Sequence, residues 1–376
     1  MLRVAILLEF AGGYGRGVLR GVMQFANLRG DWEFIMPPMY SLTRQKLFDH
    51  TTADGVIAMI HSAKSVAPFR KAKVPLVNVA RTMSENQMRE IHLPTVLPDD
   101  QRIGELAFEY FFDRGFRSFG FCGHPTASWS RERGAGFVQA CRARHLPCLQ
   151  STAADHVRMD WLQSLPRPCA VLAANDRYAW HAIDACRESN IAVPEEIAVL
   201  GCDNDQLLTE MVRPTLSSID LDAERIGFEA GQLLQELITS GKPSDRFSKL
   251  PPRGVVTRHS TEVLSIEDDA VAEAARFIRE HAAKPIRVDD VCDHVAMSRR
   301  NIERRFKKAM GRSILDEIRR MHLDRAMKLL AESDLDMPRV AEQSGFASQV
   351  RFSTVFHELT GMTPTAYRRR RKPELA

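Results

Sequence analysis

The 376-residue sequence predicts a two-lobed α/β domain followed by an all-α domain, and three observations lead there. Short apolar runs alternate with amphipathic stretches as far as about residue 260, the pattern of parallel strands flanked by helices. The alternation restarts near position 120, which favours two lobes over one large sheet. From Ala270 onward the strand pattern disappears, and every segment has the apolar spacing of a short helix.

Composition bounds the class. A hydrophobic fraction of 44% and a charged fraction of 27% are those of a folded globular chain, not of a disordered one. The longest apolar stretches fall far short of the roughly 18 residues of a membrane span. Met1-Leu2-Arg3 runs straight into a strand-like segment with none of the parts of a signal peptide, so a cytoplasmic protein with no membrane partner is expected. Seven cysteines are scattered without a Cys-x-x-Cys pair or a neighbouring His at metal spacing. They read as buried thiols, and no metal or cofactor is expected. Net charge is +4, but residues 268–376 hold 22 Lys+Arg against 17 Asp+Glu, while the rest holds 30 against 31. The body is neutral and the tail is basic.

In chain order, apolar runs at 3–10, 32–37, 55–60, 75–80, 119–123, 170–175, 197–203 and 216–221 predict strands. Between them, triplets such as Val18, Val22 and Phe25 or Ile103, Ala107 and Tyr110 mark helix faces. The expected division is lobe 1 over 1–112 plus 223–250, lobe 2 over 113–222 plus 251–262, a linker at 263–269 and a helical domain over 270–372. The first strand-to-helix loop, Gly12-Gly13-Tyr14-Gly15-Arg16-Gly17, is glycine-rich, but it lacks G-x-G-x-x-G and any G-K-[ST] ending, which speaks against a nucleotide site.

In the tail, an amphipathic helix at 287–295 stops at Ala296-Met297, and Ser298 stands where a cap accepts from the first turn of the next helix. Ile302, Phe306 and Met310 then face a core, with Arg299, Arg300, Asn301, Arg304 and Arg305 opposite. A charge run is ordinarily a solvated face; here it clusters in the first turns of a helix that follows another across a tight turn, the geometry of a recognition helix. The grammar recurs about fifty residues on. A helix at 337–344 carries Val340 and Ala341, Gly345 turns the chain, and Phe346 plugs the junction. Ser348 caps a helix whose core side is Phe352, Val355, Phe356 and Leu359, leaving Gln349, Arg351, Ser353, Thr354 and His357 outward.

The run Val340-Ala341-x-x-Ser344-Gly345-Phe346, then Phe352-Ser353-x-x-Phe356, then Gly361-Met362-Thr363-Pro364-x-x-Tyr367-Arg368, resembles the signature of AraC/XylS-type DNA-binding domains over roughly residues 270–370. The resemblance implies seven helices in two helix-turn-helix units joined by a linking helix at 314–332. It also implies two recognition helices in successive major grooves of double-stranded DNA. Ser298, Arg299, Arg300, Asn301, Arg304 and Arg305 from the first unit and Ser348, Gln349, Arg351, Ser353 and Thr354 from the second are the expected contacts, to bases or to phosphates. The basic run at 368–372 is either a further phosphate contact or a solvated tail. Val350-Arg351 and His357 depart from the family pattern, which leaves the preferred DNA sequence open.

The body resembles the sugar-binding core of LacI/GalR-type regulators and periplasmic-binding-protein-like domains. The resemblance rests on Leu172-Ala173-Ala174-Asn175-Asp176, Leu200-Gly201-Cys202-Asp203-Asn204, Arg213-Pro214-x-Leu216-Ser217-Ser218-Ile219 and Arg131-x-Arg133. Open α/β sheets bind ligands at the C-terminal ends of their strands. The resemblance implies that Arg133, Asn175, Asp176 and Asp203 meet sugar hydroxyls, with Asp99 facing the cleft and Asn204 in support; Asp176 and Asp203 are alternatively helix caps. Tyr14 and Arg16 would add stacking and a charge from the other lobe. A LacI-like body with a C-terminal AraC-type tail is the arrangement of xylose-operon activators, which implies a pentose effector, a homodimer whose DNA-binding domains re-orient when sugar closes the lobes, and RNA polymerase as a partner. Two other classes fit parts of the sequence. A sugar-modifying enzyme with a DNA-binding tail lacks a Gly-x-Ser-x-Gly elbow, a His-Glu-x-x-His and a Cys/His constellation. A binding protein whose tail contacts only proteins would show no salt-sensitive DNA affinity.

Overall fold

The computed structural model describes residues 1–35, 53–80, 82–153, 157–262, 266 and 268–371. Positions 36–37 of one expected strand run, residues 263–265 and 267 of the expected linker, and Lys372 of the basic run lie outside the described residues. The chain forms two compact units, Met1–Phe112 with Phe116–Val263 and Asp113–Gly115 with Leu264–Ala376.

The first unit contains two six-stranded sheets. One is built from β1 (Leu2–Leu7), β2 (Trp32–Ile35), β3 (Gly55–Ala58), β4 (Leu76–Asn78), β5 (Thr95–Pro98) and β11 (Phe247–Leu250), in the order β11-β5-β4-β3-β1-β2 and parallel throughout. The other holds β6 (Phe119–Gly123), β7 (Cys148–Thr152), β8 (Cys169–Ala173), β9 (Ile197–Cys202), β10 (Ser217–Asp220) and β12 (Gly254–Val256), in the order β12-β10-β9-β8-β6-β7, with β12 alone antiparallel. Helices α1 (Gly13–Arg29), α2 (Ala67–Ala72), α3 (Glu85–Glu90) and α9 (Ala223–Ser240) belong to the first lobe. Helices α4 (Asp100–Phe112), α5 (Ser128–Ala143), α6 (Met159–Ser164), α7 (Asp176–Glu188) and α8 (Gln206–Met211) belong to the second.

All eight apolar runs contain strands among the described residues. β5, β7, β11 and β12 carry no comparable run. β7, β11 and β12 are edge strands with one side short of partners, so they need less apolar surface, and β5 is only four residues long. The first lobe crossing also differs from expectation. Ile103, Ala107, Phe108 and Phe111 of α4 pack with Phe119, Phe121 and Phe137 in the core of the second lobe. The crossing therefore falls at Asp99 and not at residue 112, because α4 buries its apolar stripe against α5. The chain crosses again between β10 and α9 and between β11 and β12, so three short segments connect the lobes.

The second unit holds seven helices among the described residues: α10 (Asp269–Glu280), α11 (Val288–His294), α12 (Arg299–Met310), α13 (Ile314–Glu332), α14 (Met337–Gln343), α15 (Gln349–Thr360) and α16 (Pro364–Arg371). Ile314 and Ile318 of α13 share a core with Val271, Val291, Ile302 and Phe306, whereas Leu323, Ala326 and Leu330 share one with Val340, Phe352 and Phe356. One long helix thus serves two small cores. Between them, His322 is hydrogen-bonded to the Lys284 carbonyl at 3.1 Å and packs edge-on to Phe346. Gly345 has φ 81°, and a Cβ there would lie 2.6 Å from His322 Nε2, so only glycine fits that turn.

Candidate ligand cleft and nucleic-acid interface

The cleft is built where the second sheet's strands end. Arg133, on the first turns of α5, is 4% exposed and points back under the sheet. Its Nε donates to Asp100 Oδ1 at 2.8 Å, and its Nη1 donates to the Ala174 carbonyl at 2.6 Å and, at a longer 3.5 Å, to Asp203 Oδ1. The Trp129 ring lies 5.3 Å from the guanidinium carbon, a cation–π contact. Asp203 follows β9 with φ 105°, and Asn204 with φ 48°. Two consecutive non-glycine residues in left-handed conformations are costly, and such strain is characteristic of sites where a side chain must be aimed. Burial pushes the Asp203 carboxyl up to about 6, against the pull of Arg133 and with the push of Asp100 and Asp205.

From the other lobe, the Tyr14 hydroxyl donates to the Val79 carbonyl at 2.7 Å. Burial, with Asp100 next in size, drives the phenol above its ordinary range, so it stays protonated. Arg16 does not present a free guanidinium. Its Nη2 reaches both Asp205 oxygens at 2.7 Å and its Nη1 donates to the Phe10 and Ala11 carbonyls. The expected ligand contact is instead a latch across the lobes, and a Cβ on Gly13 would come within 2.7 Å of Asp205 Cβ. The adjoining cavity, about 630 Å³, is lined by Asp203, Asn204, Arg20, Asp220, Arg253 and Arg258 among others.

Four further expected ligand residues are occupied elsewhere. Asp176 is 1% exposed, and its two oxygens accept from Ser218 Oγ at 2.5 Å and from the Asp205 amide at 2.7 Å. It braces the β9–α8 loop rather than meeting solvent. Burial, with the Asp203 charge second, raises its carboxyl well above the usual range. Asn175 Oδ1 caps α7 by accepting from the Tyr178 amide, and Asp99 Oδ1 caps α4 by accepting from the Arg102 amide. Asn204 Oδ1 accepts from Arg258 Nη2 at 2.9 Å. The residue beside Asp99, Asp100, is the buried partner of Arg133. The Asp-Asp pair at 99–100 was visible in the sequence, but periodicity could not say which carboxylate turns inward. Asp205 and Arg258 were likewise missed, since nothing in their local pattern sets them apart from surface charges.

The tail presents two recognition helices whose N-terminal turns are exposed. α12 and α15 are each twelve residues long and offset by fifty, from Ser298 and Ser348 at their starts to Gly311 and Gly361 at their ends, with φ 75° and 70°. Ser348 Oγ accepts from the Arg351 amide at 3.2 Å. Ser298 occupies the cap position without that bond, a departure from the expected cap. Arg305 is bound in two-pronged fashion to Asp268 at 2.6 Å, and Arg299 bridges Asp289 and Glu303, whereas Arg300 and Arg304 are exposed with no ion partner among the described residues. Asn301 and Ser353 are half-buried, and Gln349, Arg351 and Thr354 are exposed. Leu359, expected on the core side of α15, is 54% exposed; Phe352, Val355 and Phe356 fill the core without it.

A periplasmic binding protein-like domain matches residues 108–261, and a helix-turn-helix domain matches residues 291–370. The xylose operon regulatory protein of Haemophilus influenzae is 30% identical over 97% of this chain and 98% of its own length. That of Escherichia coli K12 is 30% identical over 97% and 96%. A solved structure described as the xylose-binding transcription activator XylR superposes with a TM-score of 0.62 at 29% identity, covering 97% of both chains. These relatives are named as regulators rather than enzymes, which sets the enzyme alternative aside.

Proposed function

This chain belongs to the family of xylose operon regulatory proteins, and from that membership we propose that it activates genes for uptake or breakdown of a pentose such as xylose. One observation carries the ligand half: a buried arginine and a carboxylate of raised affinity for protons end the second sheet under the first lobe's Tyr14, on a chain that finishes in two helix-turn-helix units. Asp203 and Arg133 take sugar hydroxyls, an ionised carboxylate being able to accept two at once. Tyr14 and Trp129 supply ring faces, and Asn204 orients the loop. The cavity favours a neutral sugar over a phosphorylated one, since Arg16, Arg20, Arg253 and Arg258 are all engaged by carboxylates or amide and peptide oxygens.

Arg300, Asn301 and Arg304 of the first unit and Gln349, Arg351, Ser353 and Thr354 of the second contact DNA, with Ser298 on phosphate. The protein works in the cytoplasm as a homodimer; sugar draws the lobes together, the DNA-binding domains re-orient, and RNA polymerase is engaged at the promoter. Titration calorimetry with a panel of aldoses, with footprinting of promoters near its own locus, tests both halves. A pentose binding in preference to hexoses, with protection that depends on it, is expected. Absence of sugar binding refutes the ligand half, and absence of protection refutes the DNA half.

A further inference from the structure

The two recognition helices can be compared position by position through the fifty-residue offset. In α12 the core is set by Ile302 and Phe306, and in α15 by the matching Phe352 and Phe356. With about 100° of rotation per residue, the centre of the opposite face falls on Arg300, Arg304 and Lys308 in α12, and on Val350, Thr354 and Glu358 in α15. The first helix thus shows three cations at its centre. The second shows a β-branched hydrocarbon, 78% exposed, one turn ahead of a threonine.

That threonine is less polar than its composition implies. Thr354 Oγ1 donates to the Val350 carbonyl at 3.0 Å, so its hydroxyl is spent on the helix backbone. The side chains at i and i+4 stack along the helix. Val350 and the Thr354 methyl group therefore form one small apolar spot, flanked by Gln349 on one side and Arg351 on the other. Arg351 is exposed with no ion partner among the described residues.

We propose that Val350, with the methyl group of Thr354, reads the C5-methyl group of a thymine in the major groove, making α15 the helix that selects A·T pairs while α12 supplies the cationic contacts. The inference rests on the DNA-binding reading above and names the base chemistry of its second helix. Thymine is the one base in duplex DNA that offers a methyl group to that groove, and an apolar side chain gains by covering it where a polar one does not. Val350 packs into neither small core, so its side chain is open to the groove.

The test uses the full-length protein and a random-sequence duplex pool, from which bound sequences are selected with D-xylose present. Each thymine of the selected site is then replaced singly by uracil, which removes only the methyl group. Wild type is expected to lose about fourfold in affinity at one or two positions in the half-site of the second helix, the worth of one buried methyl group. Val350→Ala is expected to show no further loss from the same replacement. Circular dichroism and near-wild-type affinity for non-specific DNA establish that the variant is folded. Equal uracil effects in wild type and Val350→Ala, or none in either, overturn the assignment. Failure of the wild type to enrich any sequence overturns the DNA-binding reading itself, a distinct result.

Discussion

Each half of the molecule buries a carboxylate against arginine, and the two behave oppositely. Glu317, fully buried in the helical unit, lies between Arg312 and Arg320; burial alone would raise its carboxyl, but the Arg320 and Arg312 charges and hydrogen bonds overcome it and hold the group at about 2. Asp203 in the body has one arginine, at 3.5 Å, already held by Asp100 and a peptide oxygen, and its carboxyl rises to about 6. A charge with its full set of partners inside the fold is architecture, whereas one left short of them is a place where a ligand can finish the job.

The most severe way to probe that contrast is Glu317→Gln. Arg312 and Arg320 then share one carboxylate, Asp113, where they had two, and the helical unit is expected to lose about 1.5 to 3 kcal/mol, the range for hydrogen bonds to a charged group. Urea unfolding followed by hydrogen exchange in α12 and α15 reads this loss, and sugar titration of the body should be unaffected. A stable helical unit in the variant would break the comparison. Asp203→Asn is the counterpart. It should weaken sugar binding by about ten- to a hundredfold, the range for losing a charged acceptor, yet leave the thermal midpoint of the sugar-free body unchanged or higher, because a poorly solvated charge is gone. A fall in that midpoint would make Asp203 a structural residue like Glu317.

Acid separates the two without mutation. The Asp203 carboxyl has a folded value above its unfolded one, so its contribution to the stability of the sugar-free body rises as pH falls through about 6 toward 3.8. Sugar affinity declines over the same window, by about tenfold at pH 5, because protonation removes the acceptor. Glu317 has a folded value below its unfolded one, so its stabilisation is fully present above about 4.5 and is lost as pH falls toward 2. Calorimetric titration and thermal melts at stepped pH should show opposite slopes for the two regions.

These carboxylates also mark how far the sequence could be read. The strands with long apolar runs, the helix starts at Arg299, Met337 and Gln349 and the turn at Gly345 were legible, because periodicity, caps and a left-handed glycine are local properties, whereas the helix at 314–332 came from the family resemblance. Asp100 was not, since the choice between adjacent aspartates depends on how α4 rotates against α5. Asp176 was legible as a polar residue at a strand end but not as a brace, because its partners Ser218 and the Asp205 amide arrive from 42 and 29 residues away. Arg16 was assigned to the ligand from its loop, and its partner Asp205 sits on the other lobe, at a distance in sequence where residue type alone fixes no contact.

The smallest expected effect carries the same logic to the DNA surface. Arg304 and Arg305 are neighbours, but the first is exposed and unpaired among the described residues while the second is held by both oxygens of Asp268, which also caps α10. Arg304→Ala should reduce the slope of log affinity against log salt by about 1, as for one lost phosphate contact. Arg305→Ala should leave that slope unchanged and lower helical-unit stability only slightly, since the pair is solvated. Both slopes come from one series of titrations on selected duplex at stepped salt. An equal drop in the Arg305 variant would mean that DNA phosphate takes the guanidinium from Asp268, and internal pairing would then mark a charge held in reserve, not one committed to the fold.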